Sequence, residues 1–318
     1  MDGYPQKSDS STLIPLREVL PAVVDNVIKA AENETYIPGE STGFPRIDRQ
    51  IMGLNPSHLI VLASSPQMGK TSLALNIAVN VAKQSRKTVA VFSPDMTTKD
   101  VAMRLLSADA LVKHERLRHG EVDESDWEKI AQSCTDLTNT GIHIDDSRRL
   151  TVAGIYEKCQ KVENLGLVVV DNLQSIVSAD EQVHSEDSPY QRLSDITRRL
   201  KATANALKAP ILCTSQLSRD FEKRVKKRDY KRPLLSDLRD SGTIEDDADI
   251  VMFLHRNSYY DDCFYDDDNP EKNITECIIA KNRGGELGVV TLRWVPEYLR
   301  FEPMETENGR ERGVSPET

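Results

Sequence analysis

Nowhere does the sequence hold an apolar run long enough to cross a bilayer, and it does not begin with a basic stretch followed by an apolar one. Neither a membrane-spanning helix nor a secretory leader is expected, and the chain reads as soluble and cytoplasmic, with no membrane partner. It lacks a CxxC pair as well. The five cysteines, Cys134, Cys159, Cys213, Cys263 and Cys277, are scattered and odd in number, which disfavours a zinc site or a disulfide framework and favours reduced, buried thiols. There is no internal repeat, so the 318 residues suffice for one large α/β domain with an appendage, or for two small domains. Positive charge is in deficit: the net charge is -10, which argues against a protein that coats nucleic acid with its whole surface. The imbalance is uneven, however. Asp261, Asp262, Asp266, Asp267 and Asp268 form an acidic cluster, whereas 219–232 is strongly basic, so a basic channel inside an acidic exterior stays open.

Hydrophobic residues make up 38% of the chain, enough for a core. Residues 1–12 are polar and expected to be disordered, as is the Glu-rich tail 304–318. Over 13–32, Leu16, Val19, Leu20, Val23, Val24, Val27, Ile28 and Ala31 recur at three- and four-residue steps, an amphipathic helix. Its main body is expected to start near Pro21, since proline is tolerated in a first turn and costly deeper inside. A polar connector to residue 40 sets this helix apart, so its apolar face must pack back on its own domain or dock on a neighbouring subunit. From 41 to 303, short apolar runs at 58–63, 88–93, 141–144, 167–170, 209–214, 250–255, 275–280 and 289–294 predict strands. Helical patterns at 72–83, 99–110, 124–137, 152–162 and 190–207 separate the earlier ones. That alternation predicts an α/β fold with a mostly parallel sheet, helices on both faces and an antiparallel extension at one edge.

The first strand runs into Ser64-Ser65-Pro66-Gln67-Met68-Gly69-Lys70-Thr71-Ser72, after which a helix begins. This is a Walker A arrangement with Ser64 where the first glycine usually stands. Backbone N–H groups of the loop and helix N-terminus can surround the β- and γ-phosphates of ATP, Lys70 adds positive charge, and the Thr71 hydroxyl suits Mg²⁺. Four apolar residues, 167–170, deliver Asp171 to the sheet's C-terminal edge, where it could hold the same metal as the Walker B acid. Asp95, in Ser93-Pro94-Asp95-Met96 after the next strand, is placed to activate water; capping the following helix is its competing role. Gln216, at another strand end, could sense the γ-phosphate or be a plain polar terminus.

These blocks, in this order, resemble the C-terminal ATPase domain of DnaB-type replicative DNA helicases over roughly 41–303. The resemblance rests on Thr42-Gly43-Phe44-Pro45 with Gly53-Leu54, on Met68-Gly69-Lys70-Thr71, Ser93-Pro94-Asp95-Met96, Ile144-Asp145-Asp146, and Val170-Asp171-Asn172-Leu173-Gln174. It continues through Ser215-Gln216-Leu217-Ser218-Arg219, Ser236-Asp237-Leu238-Arg239-Asp240-Ser241-Gly242-Thr243-Ile244-Glu245 and Lys281-Asn282-Arg283. It implies a RecA-like P-loop NTPase that binds ATP and Mg²⁺, forms a homo-oligomeric, hexameric ring and moves 5′→3′ on single-stranded DNA, with a helicase loader or primase as further partners. It implies Asp95 as the catalytic acid, Arg104 stacked on the adenine, Lys281 and Arg283 reaching the neighbour's γ-phosphate, and Arg239, Asp240 and Gly242 in the loop that meets DNA. The leading helix resembles the family's linker helix, which packs on the adjacent subunit. Three departures stand out: aspartate where the family has glutamate (Asp95), asparagine where it has tyrosine (Asn172), and no counterpart of its N-terminal collar domain, as in a fragment or a short relative. The shorter acid favours one alternative, an attenuated ATPase that assembles on DNA without unwinding it. A recombinase-type strand-exchange ATPase would share the core; the Ser-Asp-Leu-Arg block and the Lys-x-Arg pair speak against it.

Overall fold

The computed structural model describes residues 13–33, 35–177, 189–226, 232–238, 242–260 and 271–304. The two terminal segments expected to be disordered (Met304 apart), the acidic cluster, Cys263, Arg239 and Asp240 lie outside the described residues.

Helix α1 (Leu16–Glu32) and α2 (Pro45–Ile51) precede strand β1 (Leu59–Ser64), then α3 (Lys70–Gln84), β2 (Thr88–Phe92), α4 (Thr98–Ala110), α5 (His114–His119), α6 (Glu124–Thr138) and β3 (Ile142–Asp145). There follow α7 (Val152–Cys159), β4 (Leu165–Val170), α8 (Pro189–Leu207), β5 (Ile211–Gln216), α9 (Arg219–Lys226), α10 (Gly242–Asp247), β6 (Ile250–His255), β7 (Ile274–Asn282), β8 (Gly288–Val295) and β9 (Arg300–Pro303). All nine strands form one sheet in the order β3-β2-β4-β5-β1-β6-β7-β8-β9. Neighbours from β3 to β6 are parallel, and β6 to β9 are antiparallel. All eight expected strands are present. The ninth, β9, is an addition to the sequence reading, as are the short helices α2, α5, α9 and α10.

The central strands read as unbroken apolar runs because both faces of the sheet are covered. Along β1, Leu59, Val61 and Ala63 turn to the face carried by α7 and α8, with Ile155, Leu200 and Ala204. Ile60 and Leu62 turn to the other face, where Leu73, Ile77 and Val81 of α3 and Val101 and Leu105 of α4 pack. Helix α3 is buried along most of its length, enclosed by the sheet and by the returning edge at β8 and β9, where the Phe301 N–H donates to Asn76 Oδ1 at 2.8 Å. Cys159, Cys213 and Cys277 are buried as expected; Cys134 is exposed, contrary to that expectation.

Helix α1 differs from its expected start. It begins at Leu16, and Pro21 lies inside it. Proline within the helix forfeits one i→i−4 hydrogen bond, a loss that the surrounding turns absorb. None of its residues is buried: Leu16 is 70% exposed, Val27 62% and Val24 51%. The apolar face therefore does not pack back on its own domain, one of the two roles open to it. Among the described residues no helix is long and apolar enough to cross a membrane.

Candidate active site

The parallel strands all end at one edge of the sheet, and the residues singled out in the loop, Walker B and Asp95 blocks converge there. Strand β1 hands over at Ser64, whose hydroxyl donates to the Ser65 carbonyl at 2.8 Å. That short bond closes the turn where a glycine would otherwise bend freely. Pro66 and Gln67 are exposed at the loop's crown, and Met68 is buried beneath it. Gln67 and Gly69 both take positive φ, 65° and 92°, and Gly69 is the N-cap of α3. A β-carbon on Gly69 would stand 2.9 Å from the Phe301 ring, so here glycine is required by both backbone and space. The first N–H groups of α3, from Lys70, Thr71 and Ser72, are left facing the loop, as an anion-binding helix terminus requires. The Ser65 Oγ is buried within the loop without a hydrogen-bond partner among the described residues, a group that a bound phosphate would satisfy.

Across the loop the Thr71 hydroxyl donates to Asp171 Oδ2 at 2.9 Å, and the Thr214 hydroxyl donates to Asp171 Oδ1. Thr71 and Asp171 thus present oxygen donors side by side, a set that suits the hard, oxygen-seeking Mg²⁺. Burial pushes Lys70 below the usual lysine value, partly opposed by the nearby Asp171 and Asp95 charges. A phosphate in the cradle beside it would supply the countercharge that burial withholds from this lysine.

Asp95 stands on the adjacent strand tip, because β2 and β4 pair with Phe92 opposite Val170. Its Oδ2 accepts from Asn172 Nδ2 at 2.8 Å and from the Ser175 hydroxyl at 2.8 Å. It is not the cap of α4: that position belongs to Thr97, which exchanges hydrogen bonds with Asp100 in a capping box. The competing role for Asp95 is thereby removed. Gln216 ends β5 opposite Ser64. One residue on, the Leu217 N–H donates to the Ser64 carbonyl at 3.2 Å, and Leu217 bridges Leu238, directly ahead of Arg239. Arg104 lies on α4, half-buried, and with Arg118 its charge adds to burial in lowering His114.

Lys281 and Arg283 are at the opposite edge. Strand β6 runs with β1, Ile60 beside Ile250 and Ser64 beside Leu254, while antiparallel β7 sets Lys281 beside Val251. The pair therefore sits where the parallel strands begin, about 13 Å of strand from the loop even before the loop's own length is added. Lys281 Nζ donates to the Glu245 carbonyl and Arg283 to the Asp246 carbonyl, both at the end of α10, and Arg283 also donates to Asp249 Oδ1 at 3.3 Å. Both side chains are tied to the end of α10 and the start of β6, not to the phosphate loop of their own chain. Gly242, the one described residue of the expected DNA-facing set, starts α10.

A family model described as the DnaB-like helicase C terminal domain matches residues 39–303. The chain belongs to that family. Relatives include the replicative DNA helicase DnaC of Bacillus subtilis, 39% identical over 303 residues, covering 94% of this chain and 64% of the relative. The replicative DNA helicase DnaB of Geobacillus stearothermophilus gives the same identity and coverage. Thus the chain spans just under two thirds of the length of these relatives. Among solved structures, one that consists of an ATPase domain aligns with a TM-score of 0.79 and 32% identity, covering 90% of this chain and 99% of that one. A DnaB-like replicative helicase, solved for its interactions with primase, aligns with the same TM-score and 33% identity, covering 92% and 68%. The nine-stranded sheet is accordingly the RecA-like fold of DnaB-like ATPase domains.

The sequence reading missed a second layer of this DnaB-like site. Arg256, just past β6, is only 4% exposed. Its guanidinium lies 3.5 Å from the Gln67 and Met68 carbonyls and 5.9 Å from the Trp294 ring centroid. Burial lowers it to about 10, and its Nε has no hydrogen-bond partner among the described residues. It braces the phosphate loop from below. An arginine directly after the apolar run 250–255 was the available signal, too common a pattern to single out. In sequence Asn172 stands out only as a departure; its contact with Asp95 spans 77 positions and leaves no local pattern to read.

Proposed function

We propose that this chain is the ATP-driven motor of a replicative DNA helicase, working as a homo-oligomeric, hexameric ring that moves 5′→3′ along single-stranded DNA. The observation that carries the reading is the division of the site between the two edges of one sheet. Lys70, Thr71, Asp171 and Asp95 stand at the ends of the parallel strands, and Lys281 and Arg283 at their beginnings. Subunits following one another would complete each pocket from two chains.

In the proposed pocket, residues 64–72 wrap the phosphates with backbone N–H groups and Lys70 neutralises their charge, while Arg104 stacks on the adenine. Thr71 and Asp171 would hold Mg²⁺, which when bound supplies charge neutralisation on the phosphate oxygens. Asp95 orients a water and accepts its proton as the water oxygen bonds to the γ-phosphorus and the bond to the β-phosphate oxygen breaks. Lys281 and Arg283 of the following subunit stabilise the charge that spreads over the transferring group, the arginine-finger role. Loss of the γ-phosphate is passed on through Gln216: the Leu217–Ser64 hydrogen bond and the Leu217–Leu238 bridge tie that strand tip to the segment entering Arg239, Asp240 and Gly242. Those three residues meet the DNA backbone, giving grip without sequence preference. Primase, named with one structural relative, and a helicase loader are the proposed protein partners, in the cytoplasm.

The test mixes two inactive proteins, Lys70→Ala and Arg283→Ala, with Mg²⁺, ATP and single-stranded DNA. A Lys70 from one and an Arg283 from the other make an intact pocket, so turnover should reappear on mixing. Mixtures that stay inactive while labelled subunits demonstrably exchange would overturn the shared pocket.

A further inference from the structure

Two side chains that stand apart in the sequence share one acceptor. Asp95 Oδ2 takes the Asn172 amide N–H at 2.8 Å and the Ser175 hydroxyl at 2.8 Å, and the same hydroxyl oxygen lies 3.2 Å from Asn172 Oδ1. Both Asp95 Oδ2 and Asn172 Oδ1 are acceptors, so the single hydroxyl proton is directed mainly to the closer carboxylate, and the amide can only present its N–H₂ to it. The frame behind this triangle is stiff. Asn172 directly follows Asp171 at the tip of β4, and the Asp171 N–H donates to the Phe92 carbonyl at 2.9 Å. The 3-10 turn Leu173–Ser175 closes with the Ser175 N–H on the Asn172 carbonyl at 3.1 Å. Leu173 beneath it is fully buried.

We infer that Asn172 and Ser175 are positioning residues for Asp95: they hold one carboxylate oxygen against the turn that carries Asp171, leaving the other to meet water. The inference rests on the proposed hydrolytic role of Asp95. An aspartate carboxylate on one methylene would swing over the strand tip if nothing held it, and a misplacement near 1 Å costs a catalytic group much of its effect. Two donors on one oxygen remove that freedom. Asp95 and Asn172 are therefore a matched pair, in which the short acid and the short amide each suit the other's reach. A glutamate at 95 would carry its carboxylate past the amide and make no use of it.

The experiment is a double-mutant cycle on the full chain, reading kcat and KM for ATP with Mg²⁺ and an oligothymidylate, and nucleotide binding by a fluorescent ATP analogue. Asn172→Ala and Ser175→Ala should each lower kcat about tenfold, the worth of a hydrogen bond to a charged group, with KM and analogue affinity within twofold. Asn172→Gln, with the same amide on a longer arm, should recover part of the loss. In an Asp95→Glu background the Asn172→Ala penalty should shrink to under twofold. An equal penalty in both backgrounds, or a loss of analogue binding in step with kcat, would overturn the pairing while leaving Asp95 in its role. Asp95→Ala is the separate control: full turnover in that protein would remove the hydrolytic role itself, and the pairing with it.

Discussion

Lys70 carries its charge in surroundings that oppose it. It is desolvated, and Asp171 and Asp95 only partly offset the burial that lowers it. For a cation with a depressed folded value, the unfavourable contribution is fully present at neutral pH and is relieved only as pH rises past the folded value toward the ordinary lysine range. Lys70→Ala should therefore leave the ligand-free melting temperature unchanged or slightly higher, while abolishing the rise expected of the parent protein with ATP; calorimetry with and without nucleotide reads both. Gly69→Ala belongs beside it, because a β-carbon there would press on the Phe301 ring at a φ of 92°; it should weaken nucleotide binding at least tenfold. The phosphate loop was legible from its spacing because backbone geometry leaves that motif few alternatives. Arg256 was not, since a buried arginine is recognisable only from what surrounds it, and its partners are carbonyls and an indole from distant segments. The same holds for Asn172 and Asp95, which meet across two strand tips.

Between elements, Asp249 is the tie. It accepts from the Leu59 N–H at 2.8 Å, from Lys201 at 2.7 Å and from Arg283 at 3.3 Å, joining β1, α8 and the end of β7 to the start of β6. Burial alone would raise its carboxyl, but the Lys201 ammonium and the Leu59 N–H outweigh that and hold it below the usual aspartate range. A depressed carboxylate contributes stability above its unfolded value, and that contribution is lost as pH falls through the folded one, so it is intact at neutral pH and disappears only in acid. Asp249→Asn leaves Lys201 short of its countercharge and should cost about 2–4 kcal/mol at neutral pH by denaturant melts, as breaking a largely buried pair does. The deficit should narrow below about pH 4. At this scale the long strands and helices were readable, since 3.6- and 2-residue periods need several turns or alternations to register. The short helices α2 and α5 and the four-residue β9, whose Arg-Phe-Glu-Pro carries one buried residue, offer too few positions. Helix α1 was readable in its face but not its start, because Pro21 masqueraded as a first-turn proline.

For the molecule as a whole, the unburied apolar face of α1 and the proposed split pocket point the same way. Val23→Asp with Val27→Asp changes residues that are 48% and 62% exposed, so secondary structure should hold and the folding free energy should stay within about 0.5 kcal/mol of the parent. If α1 docks on the next subunit, light scattering should show the mass falling to that of one chain, and turnover should fall with it. Retained assembly in that variant would send the search for the subunit contact elsewhere.

Under the proposed shared pocket, the position of Lys281 and Arg283, at the far rim of the sheet from Lys70, would also bear on the polarity of association. In the proposed ring each copy would offer Lys281 and Arg283 to one neighbour and its phosphate loop to the other, a contact between two different surfaces. Such a head-to-tail succession either bites its own tail or climbs as a spiral. In a spiral of that kind the leading copy would offer Lys281 and Arg283 to no one and the trailing copy would hold an unfinished cleft, so closure would let every subunit of the proposed motor fire.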